Sequence, residues 1–388
     1  MSDELVLSNA RVVLPEAVIT GTVVLRDGLI AEVSEGTAAT GEDLRGDYLL
    51  PGFVELHTDH LASHFKPRPG TEWNPVPAVL AHDTQVSGAG VTTVFDAIRI
   101  GRIPHLDDGG IDMPEAAQTL AVAIEHAARA DITRAEHFIH VRCEVCSPTV
   151  QEELAKLENL SAVALLSLMD HTPGQRQYAD VESFRKYLRA GGDSAAADGI
   201  TERMKLQQAS AAMHSAKNRQ AIADYANAHQ ITLAAHDDTT TEHVEEAAAL
   251  GVQISEFPTT ATAARAAHER GQTVVMGAPN IVRGGSHSNN VAAAELLELG
   301  LLDVLSSDYV PASPLQAIFQ LAEQDKLALE DGAALVAGNP ARAVGLTDRG
   351  EIAVGQRADL VRVNSHRLPG GQHVPVVRAV YRGGVRVS

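Results

Sequence analysis

Cysteine is scarce in this chain, with Cys143 and Cys146 as its two examples among 388 residues. Their C-x-x-C spacing is that of a redox pair when it stands beside the start of a helix. Here the pair follows an apolar, strand-like run instead. That position favours two reduced thiols at the end of a strand, and it leaves redox activity as the weaker alternative.

Long apolar runs are missing as well. No stretch of 18 apolar residues occurs, and the chain starts Met1-Ser2-Asp3-Glu4, without a basic segment followed by an apolar one. These absences argue against a transmembrane helix and a secretory signal. We therefore expect a cytoplasmic protein that does not enter a membrane.

Basic residues are outnumbered, because 31 Lys and Arg stand against 50 Asp and Glu, for a net charge of −19. Such a surface disfavours nucleic acid or an anionic membrane as a general partner, since both are polyanions. An anionic small molecule would need a local group of Arg and Lys. Hydrophobic residues make up 45% and charged residues 21%, which is an ordinary globular composition.

Both ends of the chain have the pattern of short strands. Residues 1–50 contain apolar runs such as Thr22-Val23-Val24-Leu25, separated by turn residues such as Asp27-Gly28, and residues 346–388 have the same character. Neither end is long enough to bury a core by itself. We therefore predict that the two ends pair into one small β-sandwich.

Between the two ends, strand-like and helical runs alternate. Eight apolar runs of strand length are each followed by a helical run, which predicts a (β/α)₈ TIM-type barrel over residues 51–345. An open doubly wound sheet is the alternative fold, and it lacks support because no G-x-G-x-x-G motif follows the first strand. The predicted strands are 52–57, 91–96, 137–142, 162–169, 231–235, 252–255, 273–276 and 303–307.

Side chains that can bind metal mark the ends of six predicted strands. His57 and Asp59 lie two residues apart, so both would point into the mouth of the barrel, where active sites of this fold lie. Imidazole with carboxylate suits Zn²⁺, Mn²⁺, Fe²⁺ or Ni²⁺, and the number of groups favours two ions over one. The candidates are His57, Asp59, Glu144, His171, His236, Glu256 and Asp308.

Other roles compete for some of these residues. A single histidine at a strand end is more often structural than a ligand, but the coincidence of several at one face reverses that preference. Asp308 has the alternative role of a helix cap, because Pro311 and Pro314 follow it. We interpret His60, His64 and His82 as residues that do not bind the metal, because they fall on a loop and a helix.

Basic residues gather on three loops that would lie at the same face of the barrel. Lys66 and Arg68 follow the first strand, Arg176 follows the fourth, and Arg283 precedes a Gly-rich turn with Ser286 and His287. Backbone N–H groups at the start of a helix attract anions, and Arg makes bidentate contacts with phosphate oxygens. In a chain of net charge −19, this gathering favours a polyphosphorylated substrate. The alternative is the ordinary richness of loops in Gly, Ser and Arg.

Three parts of the chain resemble the amidohydrolase superfamily: Pro51-Gly52-Phe53-Val54-Glu55-Leu56-His57, Asp308 and Ala358-Asp359-Leu360-Val361. The resemblance implies a metal-dependent barrel joined to a β-sandwich built from both chain ends. The usual first-strand H-x-H is H-x-D here, and no Lys lies on the fourth strand to carry the bridging carboxylate. The resemblance then implies Glu144 as the bridging residue, and it places Glu256 where a histidine is usual.

These departures resemble one branch of the superfamily, which works in phosphonate catabolism. The resemblance rests on nine motifs in order, among them Arg142-Cys143-Glu144, Asp170-His171-Thr172-Pro173-Gly174 and Leu305-Ser306-Ser307-Asp308-Tyr309. It implies metal-dependent hydrolysis of α-D-ribose 1-methylphosphonate 5-triphosphate to the 5-phosphate and pyrophosphate. The expected ligands of two divalent ions, zinc foremost and otherwise manganese, iron or nickel, are His57, Asp59, Glu144, His171, His236 and Asp308.

The implied roles are a base and a set of phosphate-binding residues. Asp308 is expected to take the proton from the attacking water, and Lys66, Arg68, Arg176, Arg283, Ser286 and His287 are expected to bind substrate. Residues 172–201 form a long polar segment, which we interpret as a lid. Two other functions compete: hydrolysis of a cyclic amide, N-acyl compound or amino-purine, and a non-catalytic barrel that acts as a subunit. A homodimer is the oligomeric state under consideration.

Overall fold

The structure, a computed structural model, describes residues 4–68, 70–103, 116–174, 176, 200–286 and 290–388. The described chain contains two sheets, one built from the two ends of the chain and one built from its middle. The predicted lid, residues 172–201, falls almost entirely outside these ranges. None of the described helices is both long enough and apolar enough to span a bilayer.

The strands at the two ends of the chain form a β-sandwich, as predicted. Their order is β16-β15-β14-β5-β1-β2-β3, with β4 paired to β1, so strand β14 from the end of the chain pairs with strand β5 from its start. The strands are β1 (Glu4–Val13), β2 (Val18–Arg26), β3 (Leu29–Glu35), β4 (Glu42–Asp43), β5 (Tyr48–Pro51), β14 (Leu360–Arg367), β15 (His373–Arg382) and β16 (Val385–Arg386).

The middle of the chain forms the predicted (β/α)₈ barrel. Its eight strands pair in parallel and in chain order, from β6 to β13. The alternative of an open doubly wound sheet is wrong, because the first and last strands meet. The strands are β6 (Phe53–Thr58), β7 (Val91–Ile100), β8 (Glu136–Glu144), β9 (Val163–Met169), β10 (Thr232–His236), β11 (Ile254–Glu256), β12 (Thr273–Gly277) and β13 (Val304–Ser306).

Backbone and side-chain contacts close the barrel between its first and last strands. Thr58 forms a parallel bridge with Asp308, and the Asp308 N–H donates to the carbonyl of His57 at 3.0 Å. The buried Glu55 carboxylate adds a second connection, because it accepts from the N–H of His57 at 2.8 Å and from the N–H of Ser307 at 2.7 Å. Closure therefore brings His57 and Asp308 side by side.

Helices cover the outer face of the barrel. Two of them begin at threonines that cap the helix: Thr240 accepts from the N–H of His243 and Thr260 from the N–H of Ala263. The helices are α1 (Leu61–Phe65), α2 (Pro75–Gly88), α3 (Ala117–Arg129), α4 (Val150–Ala155), α5 (Ile200–His229), α6 (Thr241–Ala249), α7 (Ala261–Glu269), α8 (Ala278–Arg283), α9 (Ala293–Glu298), α10 (Ser313–Glu323), α11 (Leu329–Ala333) and α12 (Asn339–Ala343), with a π-helical turn at Ala334–Gly338.

An apolar layer fills the interior of the barrel below its mouth. It consists of one or two inward residues per strand, such as Ala234 on β10 and Ile254 on β11. Because side chains alternate along a strand, the residues two positions further on also point inward. Those residues are His236 and Glu256, so the layer sets the height at which the polar side chains begin.

The predicted division of the chain falls close to these boundaries. β5 ends at Pro51 in the sandwich and β6 begins at Phe53 in the barrel. At the other end, α12 stops at Ala343, before the sandwich strand β14 begins at Leu360. The exact division at residues 50/51 and 345/346 stays a prediction.

Candidate metal centre

A first cluster of metal-capable side chains consists of His57, His140 and Glu256. One ligand atom from each lies within 4.8 Å of the others, and all three residues are buried. The His57 Nδ1 atom is 3.0 Å from Glu256 Oε1, and the His140 Nε2 atom is 3.7 Å from Glu256 Oε2. Burial lowers the pKa of His140 to about 3, so this imidazole is neutral at pH 7 and available as a ligand.

A second cluster consists of His171, His236 and Asp237, again with one ligand atom from each within 4.8 Å of the others. The His236 Nδ1 atom is 2.7 Å from Asp237 Oδ2. Burial alone would lower the pKa of His236, but the Asp237 carboxylate outweighs burial and raises it. The His57 and His236 rings are 5.6 Å apart between centroids, so the two clusters adjoin.

Glu144 lies at the edge of the second cluster. Its carboxylate is 2.6 Å from His171 Nδ1 and accepts from the His171 N–H at 3.0 Å and from Arg99 at 3.2 Å. Burial would raise the pKa of this carboxyl, but His171 and Arg99 hold the pKa well below its usual range. Glu144 is therefore an ionised carboxylate, the form that can ligate a cation.

Asp308 and Asp59 face each other across the closure of the barrel. Burial, with the charge of Asp59 added, raises the pKa of Asp308 to about 7. Arg142 counteracts this effect, and its Nη1 atom is 4.0 Å from Asp59 Oδ2. A carboxylate with a pKa near 7 is suited to accept a proton at neutral pH.

Glu55 differs from these residues in its surroundings. Burial raises its pKa to about 8, although the N–H groups of His57 and Ser307 oppose the shift. Both carboxylate oxygens accept backbone hydrogen bonds, so Glu55 connects strands and positions His57.

An open cleft of about 210 Å³ lies over the two clusters. Arg283, at the end of α8, lines the cleft and donates to the Tyr309 hydroxyl at 3.3 Å. Arg142 enters the cleft from β8, with only 8% of its side chain exposed. The lining of the cleft includes Arg142, Asp237, Arg283, Ser286, Asp308 and Tyr309.

The predicted metal ligands meet at this face of the barrel. His57, His171, His236 and Asp308 line the cleft, Glu144 contacts His171, and Asp59 faces Arg142. Glu256, noted as standing where a histidine is usual, contacts His57. Their roles as ligands stay predictions.

The predicted substrate-binding residues divide into four sets. Arg283 and Ser286 line the cleft, whereas Lys66 and Arg68 lie on the loop after α1 and are absent from its described lining. Arg176 is buried and forms an ion pair with Asp238, so a contact with substrate would require that pair to open. His287 lies outside the described residues.

Sequence reasoning missed His140, Arg142 and Asp237. The first two were detectable, because Phe138, His140, Arg142 and Glu144 alternate along β8 and share the inward face. Asp237 was not, because it follows the last residue of β10 with a φ of 61°, a left-handed conformation that alternation does not predict.

The donor set fits divalent metal ions. Glu256 Oε2 is buried and has no hydrogen-bond partner among the described residues. A bound cation would supply the missing partner for this oxygen. Neutral imidazole and ionised carboxylate are the ligand forms that zinc and similar ions require. Neither cluster offers more than three ligands, so each leaves room for a water or a substrate oxygen.

A parallel barrel with imidazoles and carboxylates at its mouth, joined to a sandwich of both chain ends, defines the class of metal-dependent barrel enzymes. Residues 192–388 match the amidohydrolase family, and the chain belongs to that family. It is 44% identical over 388 residues to α-D-ribose 1-methylphosphonate 5-triphosphate diphosphatase of Escherichia coli (strain K12), across 99% of this chain and 100% of that protein.

More distant relatives share the scaffold. Dihydroorotase of Anaeromyxobacter sp. (strain K) is 27% identical over 198 residues, which is 50% of this chain and 41% of that protein. The solved structure of N-acetyl-D-glucosamine-6-phosphate deacetylase from Mycobacterium smegmatis has a TM-score of 0.64 at 17% identity and covers 99% of both chains. 5-Methylcytosine deaminase from Klebsiella pneumoniae also has a TM-score of 0.64, at 16% identity, and covers 99% of this chain and 98% of its own.

Proposed function

We propose that this chain hydrolyses α-D-ribose 1-methylphosphonate 5-triphosphate to the 5-phosphate and pyrophosphate, a step of phosphonate catabolism. The observation that carries the proposal is the 44% identity with the Escherichia coli diphosphatase over 99% of this chain. A likeness of that extent includes all of the strands that supply the centre. The structures that are under 20% identical support the barrel and sandwich alone.

The charge of the cleft supports a polyphosphorylated substrate. The chain has a net charge of −19, yet Arg142 and Arg283 both line the cleft. Arg142 is held in place because its side chain is buried beside Asp59. Guanidinium groups in a partly buried site bind phosphoryl oxygens strongly. A neutral cyclic amide has no negative charge with which the two guanidinium groups could form an ion pair.

Two divalent ions complete the centre in this proposal, with zinc preferred and manganese, iron or nickel as alternatives. His57, Asp59, Glu144, His171, His236 and Asp308 would hold them, with Glu144 bridging, and His140, Glu256 and Asp237 join as candidates from their positions in the two clusters. When bound, the ions supply Lewis acidity that activates water and offsets phosphoryl charge.

Asp308 accepts the proton of the attacking water. Its N–H donates to the carbonyl of His57 where the first and last strands meet, and Asp308 is one of the residues that line the cleft. Arg142 and Arg283 then bind oxygens of the triphosphate, and Ser286 donates a hydrogen bond to them. The Tyr309 hydroxyl orients the Arg283 guanidinium, from which it accepts a hydrogen bond. Four other residues remain candidates for binding the phosphates of the substrate: Lys66, Arg68, Arg176 and His287.

Product analysis tests the proposal. Purified protein loaded with Zn²⁺, Mn²⁺, Ni²⁺ or Mg²⁺ is incubated with the sugar triphosphate, and pyrophosphate and orthophosphate are measured separately. We expect pyrophosphate as the released product together with the 5-phosphate of the sugar, and no release of orthophosphate. Absence of pyrophosphate with every ion would refute the proposal.

A substrate panel separates this function from the alternative on the same scaffold. Dihydroorotate and N-acetyl-D-glucosamine-6-phosphate represent cyclic amides and N-acyl compounds. Faster turnover of either one than of the sugar triphosphate would favour amide hydrolysis. The cytoplasmic location and the homodimer stay predictions.

A further inference from the structure

The inward side of β12 ends in a residue without a side chain. Val275 belongs to the apolar layer inside the barrel, and the next inward position on the same strand is Gly277. On the neighbouring strands β10 and β11, the position after the apolar layer holds His236 and Glu256, respectively. β12 therefore supplies no side chain where these two strands supply metal-capable groups, and Gly277 lines the cleft with its backbone alone.

The backbone of Gly277 does not require a glycine. Its φ of −72° and ψ of 124° lie in the extended region that every L-amino acid adopts. Gly101, beside Glu144, differs in this respect. Its φ is 99°, and a Cβ atom added there would lie 2.9 Å from the Cβ atom of Glu144, so the fold needs a glycine at that position. At Gly277, the nearest described atom beyond the chain neighbours would lie 3.5 Å from an added Cβ atom.

The space that an added side chain would enter lies beside Asp308. Gly277 pairs with Ser306 on β13, two residues before Asp308. A Cβ atom on Gly277 would lie 3.5 Å from Asp308 Oδ2 and 3.7 Å from Asp308 Cβ. Both distances are ordinary van der Waals contacts, so a methyl group would fit against the carboxyl group of Asp308 and cover part of it.

We propose that the absence of a side chain at Gly277 keeps open the space through which the attacking water and the reacting phosphoryl group reach Asp308. A general base lies within about 2.6–3.2 Å of the atom whose proton it takes. A methyl group 3.5 Å from Oδ2 would occupy part of the volume around this oxygen at the cleft. The inference rests on the proposed function for the role of Asp308 as base, and it adds a role for Gly277.

The position of Gly277 at the N-cap of α8 offers a competing explanation. Serine is preferred to glycine at an N-cap, whereas alanine is disfavoured there. If Gly277 served only the helix, Gly277→Ser would match or exceed the wild type in both stability and turnover. If Gly277 keeps the cleft open, the same variant retains its stability and loses turnover. The serine variant therefore separates the two roles.

Stability and turnover of matched variants test the proposal. Gly277→Ser and Gly277→Val are compared with the wild type by urea unfolding, zinc titration and steady-state hydrolysis of the sugar triphosphate. We expect Gly277→Ser to unfold at the wild-type urea concentration or above it, and both variants to bind the wild-type number of zinc ions. The kcat should fall about 10-fold for serine and about 100-fold for valine, because the reacting group is displaced from the base. KM should change less, since Arg142 and Arg283 still bind the triphosphate.

The control variant is Gly88→Ala, at an exposed glycine of α2 where an added Cβ atom meets no described atom within 4 Å. It should keep wild-type turnover. Wild-type kcat in both Gly277 variants would overturn the proposal.

A second measurement depends neither on turnover nor on the folding of a variant. Wild-type crystals grown with Zn²⁺ and inorganic pyrophosphate should show a water or phosphoryl oxygen within about 3.2 Å of Asp308 Oδ2 and about 4 Å from Gly277 Cα. The lack of any ordered atom at this position would refute the role of Gly277. Wild-type protein that shows this atom but releases no pyrophosphate from the sugar triphosphate would refute the proposed function and support the open space at Gly277. The two failures are therefore distinguishable.

Discussion

The buried ionic chain of Asp83, His137 and Asp96 gives a prediction about stability. His137 Nδ1 is 2.7 Å from Asp96 Oδ2, and its Nε2 is 3.2 Å from Asp83 Oδ1, with all three side chains shielded from solvent. Burial alone would lower the pKa of His137, but the two carboxylates outweigh it and raise the pKa to about 9. His137 is therefore an imidazolium at pH 7.

The size and sign of the effect follow from this pKa. The ordinary value of 6.5 applies to the unfolded chain, and the folded value of about 9 is higher. Stability from His137 is then fully present below pH 6.5 and is lost as the pH rises through 9. At 1.36 kcal/mol for each pKa unit, the contribution is roughly 3 kcal/mol.

Asp96→Asn is the perturbation, and urea unfolding at pH 6.5 and pH 9.5 is the assay. We expect the variant to lose about 3–5 kcal/mol of unfolding free energy at the lower pH, because it leaves a buried cation with one partner. The loss should shrink at the higher pH, where His137 is neutral. At each pH, the unfolding free energy of the variant is subtracted from that of the wild type. The subtraction cancels the effect of the overall charge of the protein, which is nearly the same in both proteins. An equal loss at both pH values would refute the reasoning.

Four further predictions concern the cleft. Asp308→Asn should leave the ions largely bound by the other predicted ligands and lower kcat about 100-fold or more, and wild-type turnover would contradict its role as base. Arg142→Gln should lower kcat/KM for the triphosphate about 30-fold or more, whereas the exposed Arg265→Gln should not. Arg283→Ala should raise KM for the triphosphate, in steady-state assays, and leave any turnover of an uncharged amide intact. Glu256→Gln should weaken ion binding about tenfold or more in a zinc titration, and unchanged affinity would remove it from the centre.

The barrel was predictable because each of its strands is an apolar run bounded by a helical run. Helix α1 was not, since its five residues lie in a stretch with the pattern of a polar loop. Only Leu61 and Phe65 are buried, and they pack in one cluster with Val79 of α2. A helix of that length is stable only through such tertiary contacts, which local propensity does not report.

The centre was predictable to the extent that it follows from strand geometry. His57 and His236 come together because parallel strands align their carboxyl ends, and that holds without knowledge of the loops. Arg176 shows the limit of this reasoning. Its loop position suggested a substrate contact, but Asp238, 62 residues further along, pairs with it. Loop composition alone does not distinguish an arginine that meets substrate from one that supports a neighbouring loop.

The closure of the barrel has a consequence for the order of folding. Glu55 and Ser307 are 252 residues apart in the chain, and their hydrogen bond joins the strands that carry His57 and Asp308. A chain emerging from the ribosome cannot make this contact until its thirteenth strand has been synthesised. Closing so long a loop also lowers the conformational entropy of the chain, and contacts between residues near in sequence do not compensate for that loss. The pairing of His57 with Asp308 at the mouth of the barrel therefore arises late, after the rest of the barrel has been synthesised.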